Sequence, residues 1–112
     1  MLTEREAHTI KSVRYPRKVT DGGGLYLLVT PEGHRYWRYQ YRYEGKGKTL
    51  ALGVHPDVSL ETARARHLFA RSLLADGIDP SALKRTLGRS VFAGAARDWM
   101  LRRRSKIGHN IS

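Results

Sequence analysis

Arg38, Gln40 and Arg42 occupy every second position in the run Arg35-Tyr36-Trp37-Arg38-Tyr39-Gln40-Tyr41-Arg42-Tyr43. Guanidinium and amide groups are what proteins bring to phosphates and to the edges of bases. The chemistry they offer is recognition rather than bond-making. Successive side chains of a strand point to opposite sides, so Tyr36, Arg38, Gln40 and Arg42 share one face. Trp37, Tyr39, Tyr41 and Tyr43 share the other, and a row of rings needs a core to cover. Taken alone, the run is equally a half-buried strand whose solvent side happens to be basic.

Composition bears on that choice. The 112 residues hold 21 Lys+Arg against 10 Asp+Glu, a net charge of +11 at pH 7. Such a chain attracts polyanions at long range, so nucleic acid or an anionic membrane surface leads the partner classes. No apolar run approaches the ~20 residues that span a bilayer, and Met1-Leu2-Thr3-Glu4-Arg5-Glu6 lacks a signal-peptide core. Cysteine is absent, which excludes disulfides and thiolate metal sites. The expectation is a cytoplasmic, nucleoid-associated protein of bacterial type without membrane contact. The length permits one modest core and an appendage.

The elements that must position the basic row can be read in order. Thr3 with Glu6 forms a capping-box pattern and predicts a short helix to about Ile10. Arg14 to Thr20, with Pro16, reads as an extended connector, and Asp21-Gly22-Gly23-Gly24 as a turn entering a strand. A phosphate cradle would lead into a helix instead. Leu25, Leu27 and Val29 alternate inward, which leaves Tyr26, Leu28 and Thr30 outward. Pro31-Glu32-Gly33 turns the chain into the aromatic strand, and Glu44-Gly45-Lys46-Gly47 turns it again. In the next strand Leu50 and Leu52 face the core, with Thr49 and Ala51 outward. Three such strands make an antiparallel meander.

A cover follows. Ser59 caps a predicted helix from Leu60 to Ala75, stopped by Gly77, with Leu60, Ala63, His67, Ala70 and Leu74 on its inner stripe. His67 reads as a boundary histidine, since nothing pairs with it at metal-ligand spacing. The fold class expected is α+β: a three-stranded antiparallel sheet packed on one face by a C-terminal helix, with a short N-terminal helix and a partial helix at the C-terminus. Asp79-Pro80 ends this unit, and Ser81 to Ser90, polar and basic, reads as a linker with room for a helical turn. From Val91 a helical pattern resumes, with Phe92, Ala95, Ala96, Trp99 and Met100 on one side. It is either the start of a second domain or a helix packing back on the first. Arg102-Arg103-Arg104-Ser105-Lys106 is a charge run that can add non-specific DNA affinity.

No catalytic constellation emerges from spacing. The five histidines show no His-x-x-x-His pattern, and no serine sits in a Gly-x-Ser-x-Gly frame. Neither a metal nor a cofactor is expected.

The assembled pieces resemble a known family. Asp21-Gly22-Gly23-Gly24-Leu25-Tyr26-Leu27, Tyr36 to Arg42, Thr49-Leu50-Ala51-Leu52-Gly53, Val58 to Arg64 and Gly77-Ile78-Asp79-Pro80 follow one order. That order resembles the N-terminal arm-type DNA-binding domain of prophage and genomic-island integrases, which are tyrosine site-specific recombinases. The resemblance covers residues 1–85. Residues 86–112 look like a linker and the opening of the family's core-binding domain.

The resemblance implies an exposed sheet face that enters the major groove of double-stranded arm-site DNA. The matching positions are Tyr26, Leu28, Thr30, Tyr36, Arg38, Gln40, Arg42 and Thr49. On this reading Arg38 and Arg42 donate to guanine edges or phosphates, Gln40 pairs with adenine, and Lys46 and Lys48 at the hairpin tip reach phosphate. Other integrase protomers and a directionality factor are the implied protein partners. The family's catalysis needs a tyrosine nucleophile near the C-terminus, whereas all six tyrosines here lie between Tyr15 and Tyr43 and no His-x-x-Arg box occurs. The expectation is a chain that binds DNA without cutting it, as an excised piece or a truncated product. The rival is a protein-interaction module that docks a recombinase or directionality factor through Tyr26, Leu28 and Tyr36.

Overall fold

The computed structural model describes residues 1–12, 14–95, 97–99 and 101. Its first helix, α1 (Glu4–Thr9), starts at the expected N-cap, Thr3. Thr3 Oγ1 accepts the Glu6 N–H at 3.1 Å and donates to Glu6 Oε1 at 3.0 Å. Four strands follow, β1 (Arg17–Gly22), β2 (Leu25–Val29), β3 (Arg35–Tyr43) and β4 (Lys46–Val54). They form one antiparallel sheet in the order β1-β2-β3-β4.

The sheet thus has four strands where three were expected. The segment read as a connector is β1, paired from Arg17 opposite Val29 to Gly22 opposite Leu25. Pro16 stands just outside it, where a missing N–H breaks no ladder bond. The Gly-rich turn joins β1 to β2 and brings two strands close together. A Cβ on Gly24, whose φ is +93°, would lie 2.4 Å from the Gln40 carbonyl oxygen, so no larger residue fits there.

Leu25, Leu27, Val29, Trp37, Tyr39, Tyr41, Leu50 and Leu52 are buried on one face, as the alternation requires. Helix α2 (Leu60–Ala75) packs on that face. Ser59 Oγ accepts the Thr62 N–H at its start. At its end Ile78 N–H reaches the Leu73 carbonyl and Gly77 N–H the Leu74 carbonyl, a Schellman closure with Gly77 at φ +79°. Leu60, Ala63, His67 and Ala70 are buried as expected, and Phe69 and Leu73 widen the stripe while Leu74 is half-buried. His67 lies inside the core rather than at its boundary. Its Nε2–H donates to the Gly23 carbonyl at 2.9 Å, which ties α2 to the glycine turn. Burial pushes its pKa down, and the Gly23 carbonyl opposes that.

The stretch read as a linker contains helix α3 (Pro80–Leu87). Asp79 is its N-cap and Pro80 its first residue, so the dipeptide taken as a stop is a start. The helix lies along β4, where Lys84 Nζ donates to the Ala51 carbonyl at 2.8 Å. Arg66 donates to the Leu52 carbonyl at 2.8 Å, so two cations occupy acceptors of the edge strand. A π-helical turn (Val91–Ala95) comes next, with Phe92 buried. The Phe92 ring meets Phe69 edge-on at 5.5 Å, and the Trp99 ring lies 6.0 Å from Phe69. Trp99 therefore finds a surface on α2, where the sequence left it little to bury against. Ala96, Met100 and the basic run from Arg102 lie outside the described residues. Among the described residues no helix is long and apolar enough to cross a membrane.

Candidate nucleic-acid interface

Directly opposed residues of an antiparallel sheet share a face, so the strand register sorts the expected site residues. Lys18, Leu28 and Tyr36 form one row across the open face. Thr20, Tyr26, Arg38 and Ala51 form the next, followed by Gln40 with Thr49 and Arg42 with Gly47. Gln40, Arg42 and Thr49 are exposed, while Leu28, Tyr36 and Arg38 are half-buried. The Arg38 guanidinium lies 5.5 Å from the centre of the Tyr36 ring, which in turn stacks near His34. Six expected residues, Leu28, Tyr36, Arg38, Gln40, Arg42 and Thr49, are thereby brought onto one surface.

The other four are placed differently. Tyr26 is on this face but only 7 % exposed, because the unforeseen strand brings Lys18 across it. Lys18 Nζ stands 4.5 Å from the centre of the Tyr26 ring and donates to Gln40 Oε1 at 3.1 Å. Thr30 lies just beyond β2 in the hairpin turn, where its Oγ1 accepts the His34 N–H at 3.0 Å.

Lys46 and Lys48 are on the opposite face, opposite Tyr43 and Tyr41. Lys46 is exposed there. Lys48 is tied to Asp79, whose carboxylate also accepts from the Tyr41 hydroxyl and from the Ser81 N–H. Lys48 thus joins the sheet to the start of α3. Lys18 is the residue that sequence reasoning missed. Its signal was the parity of Lys18 with Thr20 across a glycine hairpin from Tyr26 and Leu28.

Two carboxylates hold the periphery together. Asp21 accepts the Leu2 N–H and bonds from the Arg64 guanidinium to both oxygens, at 2.8–2.9 Å. Burial pushes the Asp21 and Asp79 carboxyls up, but their donors outweigh it and hold both below the ordinary carboxylate range. Groups with depressed folded-state pKa values stabilise the fold above the unfolded value, 3.8 here, and lose that contribution as pH falls through the folded values. Melting temperature is expected to decline gently below about pH 6.5, where unfolding lets His67 take up a proton, and then to drop steeply below about pH 5 as the two carboxyls titrate. Asp79→Asn should flatten part of that acid limb. An equally steep limb in the variant would remove Asp79 from the account.

A sheet with one covered face and one open, basic face offers a surface for a polyanion, and some proteins meet DNA with strands. The arm DNA-binding domain family model matches residues 2–87, and the chain belongs to that family. Among its relatives, the integrase of Enterobacteria phage P4 is 40 % identical over 105 residues, covering 88 % of this chain and 24 % of the relative. The prophage integrase IntS of Escherichia coli K12 is 34 % identical over 100 residues, 88 % of this chain and 26 % of that protein. The putative protein IntB of the same strain is 57 % identical over 61 residues, 54 % of this chain and 15 % of that protein. The chain spans about a quarter or less of the length of these relatives.

Proposed function

We propose that this DNA-binding domain reads double-stranded arm-type sites by laying the open face of its sheet in the major groove. It would serve as the non-catalytic module of an integrase, with residues 1–85 as the reader and residues 86–112 leading toward a core-binding domain. The observation that carries the reading is the surface of Tyr36, Arg38, Gln40, Arg42 and Thr49, joined by Lys18 and left open while α2 covers the opposite face. The major groove is wide enough for a ribbon of strands, and guanidinium and amide groups are suited to its base edges. In a whole integrase the module would hold arm sites while a separate domain exchanges strands, beside other protomers and a directionality factor.

Selection from a random duplex library, followed by titration at several salt concentrations, tests this. A short consensus, with log K falling by about 0.9 per log salt for each phosphate neutralised, is the expected result. Binding without a consensus would reduce the face to a phosphate contact. No binding at physiological salt would overturn the reading in favour of a protein-docking face.

The Lys18 contact refines the role of Gln40. Lysine has only donors, so the amide oxygen of Gln40 faces it and the amide hydrogens point away. Adenine recognition needs both ends of the amide, whereas a donor alone suits guanine N7 or O6, or thymine O4. Lys18→Ala is expected to shift the selected base opposite Gln40 toward adenine, a change worth about 1–3 kcal/mol of discrimination. An unchanged consensus in the variant would show that Lys18 does not orient the amide on DNA.

A further inference from the structure

Three residues far from the basic face converge at the N-terminal corner of the molecule. Glu4 and His8 stand one turn apart on α1, and His55 follows β4. Glu4 Oε1 lies 3.2 Å from His55 Nε2 and 3.8 Å from His8 Nε2. The two imidazoles meet edge to face with centres 4.5 Å apart, and the potential ligand atoms of the three residues all lie within 4.8 Å of one another. Ligands of one tetrahedral zinc, each about 2.0–2.2 Å from it, stand roughly 3.3–3.5 Å apart. Only the His8 ring, on the exposed side, needs to close in.

Two of the three groups are already fixed. The other carboxylate oxygen of Glu4 accepts the Leu60 N–H at 2.9 Å, the kind of outer hydrogen bond that orients a ligating carboxylate. That bond heads the causes that hold the Glu4 pKa below its ordinary value, so the group is an anion at neutral pH. The His55 side chain is 1 % exposed, its backbone N–H bonds to the Arg35 carbonyl, and its ring sits edge-on to Trp37. Its Nδ1 is buried and finds no hydrogen-bond partner among the described residues.

We propose that Glu4, His8 and His55 bind a divalent transition-metal ion of the zinc type, which clamps α1 to the segment between β4 and α2. Two imidazoles and one carboxylate suit zinc, cobalt or nickel and are a poor set for magnesium, which prefers oxygen ligands. The ion replaces the hydrogen on His55 Nε2, which moves to the vacant Nδ1, and solvent completes the coordination. A six-residue helix is marginal on its own, so a clamp at its first turn stabilises the docked form. Sequence spacing did not reveal the set because His55 is remote from Glu4 and His8 along the chain.

The test uses the untagged full chain after chelator treatment, titrated with zinc chloride by calorimetry and followed by thermal melting. One equivalent of zinc is expected to bind and to raise the melting temperature, while magnesium chloride does neither. His8→Ala should weaken zinc binding by at least about tenfold. The same variant should shift the metal-free melt far less than zinc shifts the parent's, since His8 is exposed and only its ring edge meets His55. Absence of zinc uptake, or equal uptake by the His8→Ala protein, would overturn the site, the second outcome by assigning the ion to other groups.

Discussion

Trp37→Ala is expected to destabilise the domain by about 3–5 kcal/mol, enough to leave much of it unfolded at 37 °C. Trp37 has no exposed surface and is the largest of the fully buried side chains. It lies in β3, an inner strand of the sheet, on the face that α2 covers. Its Nε1–H also donates to the Val58 carbonyl at 2.7 Å, which anchors the loop that leads into α2. Truncation therefore opens a cavity and removes the donor of a buried acceptor. Trp37→Phe separates the two effects, because it keeps most of the volume and loses the hydrogen bond, for about 1–3 kcal/mol. Urea denaturation of the three proteins decides the matter. A Trp37→Ala midpoint close to that of the parent would mean that the core can collapse around the missing ring.

Arg38→Ala combined with Arg42→Ala is expected to abolish useful DNA affinity while the fold stays intact. Arg42 is exposed, and Arg38 rests on the Tyr36 ring at the surface. Each arginine is expected to contribute about 1–3 kcal/mol to DNA binding, so the pair, if independent, contributes about 2–6 kcal/mol. That range corresponds to a loss on the order of thirtyfold to ten-thousandfold. The single variants show what each contacts. A phosphate contact lowers affinity for all sequences alike and reduces the salt slope by about one, whereas a base contact relaxes preference at one position. Circular dichroism melts of the double variant should match those of the parent. Retained affinity in a folded double variant would rule out this face as the DNA contact.

Much of this was legible from single residues. The alternation in β3 placed Trp37, Tyr39 and Tyr41 inside, and Ser59 and Gly77 bounded α2, because strand parity and helix caps are local rules. Strand β1 was missed because Arg17, Lys18 and Thr20 alternate with little that is apolar, and only pairing with β2 makes them a strand. The covering of Tyr26 by Lys18 was lost with it. That Lys46 and Lys48 lie on the covered face was readable from parity, since both alternate in step with Leu50, which was assigned to the core. Asp79-Pro80 was read for what it ends and not for what it caps. The Glu4, His8 and His55 corner depends on tertiary contact alone.

The order β1-β2-β3-β4 also bears on how the molecule comes into being. Every strand pairs only with its neighbours in the chain, so each ladder closes a short loop and the sheet can form by successive hairpins. For a polypeptide made from its N-terminus onward, the strands of the open basic face are all available as soon as β4 has emerged. Arg35 of β3 can reach the His8 carbonyl early, but docking of α1 is completed later, because Asp21 waits for Arg64 and Glu4 waits for Leu60. Helix α1 is thus held in place by residues made after the sheet, and only the packing of α3 and Phe92 closes later still.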